Sequence, residues 1–216
     1  METLEQLCEA GASFQARGYA FGSTGNLSVV EDGRVWITPT GGSLRNLAPE
    51  RMACLDLDGK PLNANKPSKE YPFHLAAYRG AAGRARALVH LHCTHAVALS
   101  CLETLDEREP LPVFTPYYLM RVAPLAVLPY FRPGSGELAD AVGAAAAAHD
   151  SMLLRNHGIV CLGATLDEAV DRAEELEETA RLWFLMRSLP GDLGRPKLLT
   201  AEERGEIERA FRSKRG

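Results

Sequence analysis

The sequence contains no long hydrophobic run. None of its 216 residues belongs to a segment that approaches the roughly 20 consecutive apolar residues of a membrane-spanning helix. The alanine run over 144–148 is short and is followed by a histidine and an aspartate. The opening segment, Met1 to Glu5, lacks the basic start and the apolar core of an export signal. We therefore expect a cytoplasmic protein with no membrane partner.

Paired cysteine motifs and an excess of positive charge are also missing. The five cysteines are an odd number and form no Cys-x-x-Cys pair, which is typical of free thiols in a reducing compartment. Lysine and arginine number 24 against 28 acidic residues, so the formal net charge is -4. This balance argues against nucleic acid as a partner. An anionic substrate would need a local cluster of positive groups.

The length and the mixed order of the segments predict one layered α/β domain. A chain of 216 residues can bury one well-packed core, and no repeat or low-complexity linker divides it. We expect the domain to span residues 1–216, with 197–216 as a C-terminal helical extension. Residues 190–196 read as a hinge-like connector before that extension.

Periodicity and turn signals predict the individual elements. Apolar or alternating segments indicate strands at 27–30, 34–38, 51–57, 87–91, 125–128, 151–154 and 158–162. Helical spacing indicates helices near 4–17, 68–78, 94–102, 136–148 and 166–189, and a last one from about 201. Thr3, Ser68, Thr165 and Thr200 are the predicted N-caps, the last two within capping boxes. The Pro-rich chain over 110–116 is predicted to be irregular.

Three histidines are spaced in a way that suits a metal. His90 and His92 end the apolar strand over 87–91, and residues two apart on a strand point to the same face. His157 lies between an asparagine and a glycine, in the predicted turn between two strands. Three imidazoles around one point would leave an open coordination position, as a catalytic zinc requires.

A structural role is the alternative for each histidine. A His-x-His pair by itself is more often packing or surface than a metal site, so the interpretation depends on further segments. His74, His95 and His149 are read as structural residues. Cys93, beside His92, is read as a small buried filler rather than a nucleophile.

Three loops have a composition that suits phosphate. They contain hydroxyls, glycine backbone N–H groups and, in the third, two lysines: 22–28, 38–42 and 66–70. Unpaired N–H groups at helix starts and in glycine-rich turns bind anions. The alternative is that these loops are ordinary turns, because glycine, serine and threonine are turn residues in any case.

A carboxylate and two phenols are candidates for proton transfer. Glu70 lies just inside a predicted helix start, where a negative charge is favourable on dipole grounds alone. Placed over a metal, the same carboxylate could move protons at a substrate carbon. Tyr117 and Tyr118 follow the Pro-rich segment and are either packing residues or proton donors.

Four ordered motifs resemble the class II sugar-phosphate aldolases and their adducin-like relatives. The motifs are Thr38-Pro39-Thr40-Gly41, Pro67-Ser68-Lys69-Glu70, His90-Leu91-His92 and Asn156-His157-Gly158. The resemblance runs from Gly25-Asn26-x-Ser28 to the helix after Gly163. It implies a three-layer α/β/α domain with a largely antiparallel central sheet. It also implies a homotetramer with active sites near subunit boundaries.

The resemblance assigns roles to matching positions. It implies zinc ligands at His90, His92 and His157, with one ion per chain. Glu70 resembles the acid/base carboxylate, which in this family can also bind the metal when substrate is absent. A phosphate cradle is implied at Asn26, Ser28, Thr40, Gly41 and Ser68.

Lys69 departs from the aldolase pattern, which commonly has a small hydroxyl residue there. Its ammonium would lie where a second anionic group of a substrate could sit. With the segments over 115–118 and 130–134, Lys69 is more similar to a subgroup that decarboxylates 3-oxo-tetronate 4-phosphates. Dihydroxyacetone phosphate and carbon dioxide would form through a metal-stabilised enediolate. Glu70 or a tyrosine, preferably Tyr118 rather than Tyr117, would protonate carbon 2.

Two rival functions stay open at this point. An aldolase acting on a fuculose or ribulose phosphate would use an equivalent enediolate, and epimerases and dehydratases also occur on this scaffold. A non-catalytic interaction module, as in adducin-like relatives that have lost the metal, is the rival from another class. The retained histidines and Glu70 favour an enzyme.

Overall fold

The computed structural model describes residues 2–191 and 195–215. Its seven strands form one mixed sheet in the order β3-β2-β1-β4-β7-β6-β5. The strands are β1 (Asn26–Glu31), β2 (Arg34–Ile37), β3 (Ala53–Asp56), β4 (Ala87–Leu91), β5 (Leu125–Leu128), β6 (Ser151–Leu154) and β7 (Gly158–Gly163). Only β5 and β6 pair in parallel. The sheet is therefore largely antiparallel, as predicted.

Seven α-helices accompany the sheet in the described residues. They are α1 (Glu2–Ala16), α2 (Tyr71–Gly80), α3 (Thr94–Ser100), α4 (Pro116–Arg121), α5 (Gly136–Ala145), α6 (Leu166–Ser188) and α7 (Ala201–Arg215). Short 3-10 turns occupy Leu44–Asn46 and Pro49–Arg51. None of the helices in these ranges is long and apolar enough to cross a membrane.

Two apolar clusters lie on the two faces of the sheet. One joins side chains of α1, α3, α4 and α6 to the sheet, and the other joins α2 and α5 to it. The fully buried β4 contributes to both, with Val89 and Leu91 in the first cluster and Leu88 in the second. Such alternation is expected of a strand covered on both faces. The predicted three-layer α/β/α fold is confirmed.

The capping boxes form as predicted. The Thr165 hydroxyl accepts a hydrogen bond from the N–H of Glu168, at the start of α6. At the start of α7, Thr200 and Glu203 each accept from the backbone N–H of the other residue. The predicted connector over 190–196 lies partly outside the described residues.

Several predicted boundaries are wrong. The irregular segment predicted over 110–116 ends at Thr115, because this residue caps a helix over 116–121 that was not predicted, and Pro116 suits its first position. Helix α2 begins at Tyr71, since Ser68 accepts from the N–H of Glu70 in a turn that precedes the helix. Thr3 lies inside α1, where its hydroxyl donates to Glu31 instead of capping.

The sheet order brings distant segments together. Strand β1 pairs with β4 so that Asn26 lies opposite His90. Strand β7 pairs with the other edge of β4 and begins at Gly158, directly after His157. A β-carbon at Gly158 would lie 2.4 Å from the backbone oxygen of Leu91. Glycine thus permits the close approach of the two segments that contain the histidines.

Candidate metal centre

Three imidazoles meet at one end of the central strands. His90 is the fourth residue of β4, His92 follows the strand, and His157 precedes β7. The ring centres lie 4.8 to 5.0 Å apart, with the ring planes inclined by 73 to 79°. The Nε2 atoms of His90 and His92 are 2.9 Å apart. The predicted convergence of these rings is thus present in the structure.

Two of the rings are held in the form that binds a metal. The Nδ1 atom of His90 lies 2.8 Å from the backbone oxygen of Ile159. A carbonyl only accepts, so Nδ1 is the donor of this bond and Nε2 is the nitrogen that faces the cluster. Burial, followed by the charges of His90 and His157, lowers the pKa of His92 to about 3. His92 is therefore neutral at physiological pH, the form in which an imidazole can bind a metal.

Glu70 completes the cluster from the position before α2. Its Oε2 atom lies 3.2 Å from Nε2 of His90, and its Oε1 atom lies 3.3 Å from Nε2 of His157. The amide nitrogen of Asn26 donates to Oε2 at 2.8 Å. Burial raises the pKa of Glu70, but His90, His157 and Asn26 outweigh it and lower the pKa well below the usual range. Glu70 is ionised.

The four side chains fit a divalent cation. One ligand atom from each of Glu70, His90, His92 and His157 lies within 4.8 Å of the others. Oε1 of Glu70 and both ring nitrogens of His157 are buried without a hydrogen bond, although Oε1 and Nε2 approach each other. Tetrahedral zinc with bonds of about 2.0–2.1 Å places its ligand nitrogens roughly 3.3 Å apart. The spacings of 2.9, 3.2 and 3.3 Å are close to that size, so a shared cation would account for the orphaned atoms.

A cleft of about 400 Å³ opens onto the cluster. Glu70, His92 and His157 line it, together with most of the predicted cradle: Asn26, Thr40, Gly41, Ser68 and Lys69. Lys69 is exposed, and Gly41 has a φ of +71°, a conformation that favours glycine. The cleft thus combines hydroxyls, an amide, a glycine turn and one ammonium beside the side chains that could hold a cation. Pro133 and Gly134 also line it, from the segment that the resemblance singled out.

Ser28 does not belong to this cleft. Its side chain is completely buried, and its hydroxyl lies 2.7 Å from Nδ1 of His74 and 2.6 Å from the hydroxyl of Tyr78. Alternation along β1 places Ser28 on the same face as Asn26, but two residues further along the strand. The prediction that Ser28 contacts phosphate is therefore corrected.

Tyr118 is also misplaced as a proton donor of this cleft. It is only 3% exposed and packs in the apolar cluster with residues of α3 and α6. Burial raises the pKa of its phenol, followed by the charge of Glu109. The neighbouring Tyr117 is 55% exposed, and the guanidinium of Arg121 lies 5.8 Å from its ring centre. Neither phenol lines the cleft among the described residues.

Sequence reasoning underrated His74 and missed Tyr78. Both are buried on α2 and reach Ser28 and Asn26 on β1. The signals were present, because residues four apart share a helix face and residues two apart share a strand face. Which helix face meets which strand face depends on packing between distant segments.

Comparisons with known proteins agree with this geometry. The family described as "Class II Aldolase and Adducin N-terminal domain" matches residues 5–184. The 3-oxo-tetronate 4-phosphate decarboxylase of Haemophilus influenzae is 48% identical over 184 residues, which cover 85% of this chain and 87% of that protein. The L-fuculose phosphate aldolase of Methanococcus maripaludis is 38% identical over 173 residues, covering 80% and 91%.

A solved structure has the same fold. YgbL from Klebsiella pneumoniae superposes with a TM-score of 0.89 at 42% sequence identity, covering 95% of this chain and 97% of that one. The sheet order, the cluster of histidines and the match over most of the sequence lead to one assignment. This chain belongs to the class II aldolase and adducin N-terminal domain family.

Proposed function

We propose that this protein is a metal-dependent carbon–carbon lyase. Its substrate is a 3-oxo-tetronate 4-phosphate, and its products are dihydroxyacetone phosphate and carbon dioxide. The observation that carries the proposal is the meeting of three imidazoles and one ionised carboxylate in a cleft lined by groups that suit phosphate. The printed name of the Haemophilus influenzae relative supports the choice of substrate.

Zinc is the cation that we propose for the cluster, one ion per chain. Three imidazole nitrogens and a carboxylate oxygen are a ligand set that zinc commonly takes, with a position that substrate can share. When bound, such a cation supplies Lewis-acid charge that stabilises negative charge on a substrate oxygen. The Nδ1 hydrogen bond of His90 to Ile159 fixes the ring that faces this position.

The reaction requires charge stabilisation and one proton. The bond between carbon 1 and carbon 2 breaks, carbon dioxide leaves, and the electron pair spreads over carbon 2 and the 3-oxo oxygen as an enediolate. A proton then adds to carbon 2 to give the hydroxymethyl group of dihydroxyacetone phosphate. No hydroxyl proton has to be removed for carbon dioxide to leave, in contrast with aldol cleavage.

Glu70 is the side chain that we assign to this proton. It is the carboxylate that lines the cleft beside the imidazoles, and it is ionised before substrate binds. In this proposal Glu70 binds the cation only when substrate is absent, and with substrate bound it passes a proton from water to one face of carbon 2. In D₂O we expect deuterium at a single prochiral position of the product, and Glu70→Gln should lose this selectivity.

The rest of the cleft would bind the two anionic ends of the substrate. Asn26, Thr40, Gly41 and Ser68 are proposed to hold the phosphate, because glycine turns and hydroxyls present hydrogen-bond donors to its oxygens. We propose that the exposed Lys69, which lines the same cleft, attracts the carboxylate that is lost. This arrangement supports a keto-acid phosphate over a ketose phosphate, which has no carboxylate.

Assembly and location are further parts of the proposal. We propose a cytoplasmic homotetramer built from a single domain over 1–216, with 197–216 as a C-terminal helical extension. Helix α7 borders an apolar groove formed with α4, in which Leu119, Met120 and Ile207 take part. Light scattering of the purified protein tests the tetramer.

Aldol cleavage of a sugar phosphate is the second candidate, favoured by the name of the Methanococcus maripaludis relative. The test offers purified, zinc-loaded protein a 3-oxo-tetronate 4-phosphate and L-fuculose 1-phosphate in parallel. Decarboxylation of the first without aldehyde release from the second supports the proposal, and the reverse supports the aldolase. Less than a few tenths of a metal ion per chain, not restored by added zinc, would favour a non-catalytic module.

A further inference from the structure

Four buried polar side chains form a chain that ends at Glu70. They come from two neighbouring elements, Asn26 and Ser28 from β1 and His74 and Tyr78 from α2. Each is at most 5% exposed. Burying polar groups at this depth is costly unless each is hydrogen-bonded. The donor and acceptor of each bond can therefore be worked out from its neighbours.

The contacts run in sequence from the carboxylate into the protein. The amide nitrogen of Asn26 donates to Oε2 of Glu70 at 2.8 Å, and its amide oxygen faces Nε2 of His74. The other ring nitrogen of His74, Nδ1, lies 2.7 Å from the hydroxyl of Ser28. That hydroxyl in turn lies 2.6 Å from the hydroxyl of Tyr78.

The donation from Asn26 to Glu70 fixes the direction of the bonds that follow. A carboxylate only accepts, so Asn26 must present its amide nitrogen to Glu70 and its oxygen to His74. The oxygen also only accepts, so Nε2 of His74 must carry a proton. His74 is completely buried, and burial, followed by the charge of His90, lowers its pKa to about 3. The ring is therefore neutral, and Nδ1 is an acceptor.

The same reasoning continues to the end of the chain. The acceptor Nδ1 of His74 takes the single hydroxyl proton of Ser28. Because the Ser28 proton is used in this bond, the Tyr78 hydroxyl must be the donor to Ser28. Its acceptors are Oγ of Ser28 at 2.6 Å and the backbone oxygen of Ser28 at 3.0 Å. From Ser28 onward, each side-chain bond thus donates toward Glu70.

We propose that Tyr78, Ser28 and His74 are positioning residues that act through Asn26 to orient the Glu70 carboxylate. The inference depends on the proposed role of Glu70 as a metal-binding and acid/base group. The chain prevents the Asn26 amide from turning over, which would direct its oxygen at the negatively charged Glu70. It thereby holds one carboxylate oxygen and leaves Oε1, which makes no hydrogen bond in the protein, free for a cation.

The first test needs neither substrate nor metal. In ¹⁵N-labelled protein, the ring nitrogens of His74 are observed by NMR, with His74→Gln to assign the signals among the six histidines. We expect a neutral ring with the proton on Nε2, at pH 7 and with or without Zn²⁺. A proton on Nδ1 alone reverses the direction of the chain, and an imidazolium interrupts it at Ser28, so either result overturns the proposal, whatever the enzyme does.

The second test uses variants, with Zn²⁺ affinity and kinetics as separate measurements. His74→Leu leaves Asn26 without its donor, and we expect about tenfold weaker Zn²⁺ binding in competition with a chromogenic chelator. We expect kcat to fall about tenfold as well, with KM within about twofold, because an orienting hydrogen bond to the acid/base group is lost. His74→Gln, whose amide can still donate to Asn26, should recover most of both quantities.

Coupling separates a positioning role from general destabilisation. If His74 acts through Asn26, His74→Leu should change Zn²⁺ affinity less than about twofold in an Asn26→Ala background. Leu75→Ala, a buried apolar change on the same helix, should lower the melting temperature and leave Zn²⁺ affinity unchanged. Independent effects of the two network variants, or an equal loss of affinity in Leu75→Ala, would contradict the proposal. Absent turnover with intact coupling would instead count against the decarboxylase function alone.

Discussion

At the scale of single residues, His92 is the ligand whose removal is most informative. Its ring contacts the cluster from beyond the end of β4, so truncation does not interrupt the sheet. We expect His92→Ala to lose the metal and turnover while remaining folded, which elemental analysis, an activity assay and circular dichroism measure. His95→Ala removes a nearby imidazole that binds Glu177 instead, and it should keep the metal. Full activity in His92→Ala would show that His92 is not a metal ligand.

We expect Lys69 to favour a substrate with two anionic groups, a carboxylate and a phosphate, over a substrate with a phosphate alone. Lys69→Met should raise KM for the 3-oxo-tetronate 4-phosphate by about tenfold or more, because an ammonium paired with a carboxylate contributes roughly 1.5–3 kcal/mol. Zinc content should not change. Lys66→Met removes an exposed lysine outside the cleft and serves as the control. Equal effects of the two variants would indicate general electrostatic attraction.

His74 makes the stability of the metal-free protein sensitive to acid. Its pKa is about 3 in the folded protein and near the ordinary value of 6.5 after unfolding. The unfolded state therefore binds more protons between these values, so stability falls as the pH drops below about 6.5. The contribution reaches about 1.4 kcal/mol per pH unit.

Urea unfolding of metal-free protein at several pH values between 6.5 and 4.5 measures this contribution. His74→Gln cannot titrate, so the slope of its unfolding free energy against pH should be shallower by up to about 1.4 kcal/mol per unit. The contributions of the other histidines cancel in the difference between the proteins. Identical slopes would show that His74 is not held neutral.

At the scale of elements, Gly158 determines how closely β7 approaches β4. Gly158→Ala would bring a β-carbon to 2.4 Å from the Leu91 oxygen, and the strands must separate. We expect a loss of about 1–3 kcal/mol of stability together with weaker zinc binding, because His92 and His157 move apart. Gly136→Ala, where a β-carbon meets nothing within 4 Å, is the matched control for unfolding and metal titration. Unchanged zinc affinity in Gly158→Ala would show that zinc binding does not depend on the close approach of β7 to β4.

The elements that the sequence predicts best are those with local signals. The apolar run over 87–91 and the capping box at Thr165 each form where predicted, because strand burial and helix capping depend on neighbouring residues. Helix α4 has such a signal in Thr115 and Pro116, but no helix was predicted there, and Pro116 was included in the irregular segment over 110–116. The start of α2 was placed too early because Ser68 is followed by a turn rather than by the helix itself.

Some features of the site could also be predicted from the sequence, and others could not. The spacing of His90 and His92 in a strand predicted a shared face, and the family motifs predicted their meeting with His157 and Glu70. The burial of Ser28 and Tyr118 could not be read from the sequence, because it depends on which helix covers each face of the sheet. The bonded chain from Tyr78 to Glu70 depends on the same packing.

At the scale of the whole molecule, sheet order accounts for the position of the site. The neighbours β1, β4 and β7 are distant in sequence, yet they bring Asn26, His90 and His157 to one end of the sheet. Glu70 joins them from the start of a helix on one face. Strands buried on both sides provide a rigid support, which an arrangement of ligands and acid/base groups needs in order to keep its geometry.

Product analysis with a 3-oxo-tetronate 4-phosphate tests the whole account most directly. The zinc-loaded protein is incubated with this compound, and carbon dioxide and dihydroxyacetone phosphate are both quantified. We predict the two products in a one-to-one ratio, with loss of both when zinc is chelated and their return when zinc is restored. Metal-loaded, folded protein that leaves the compound intact while cleaving a ketose 1-phosphate to an aldehyde would contradict the account.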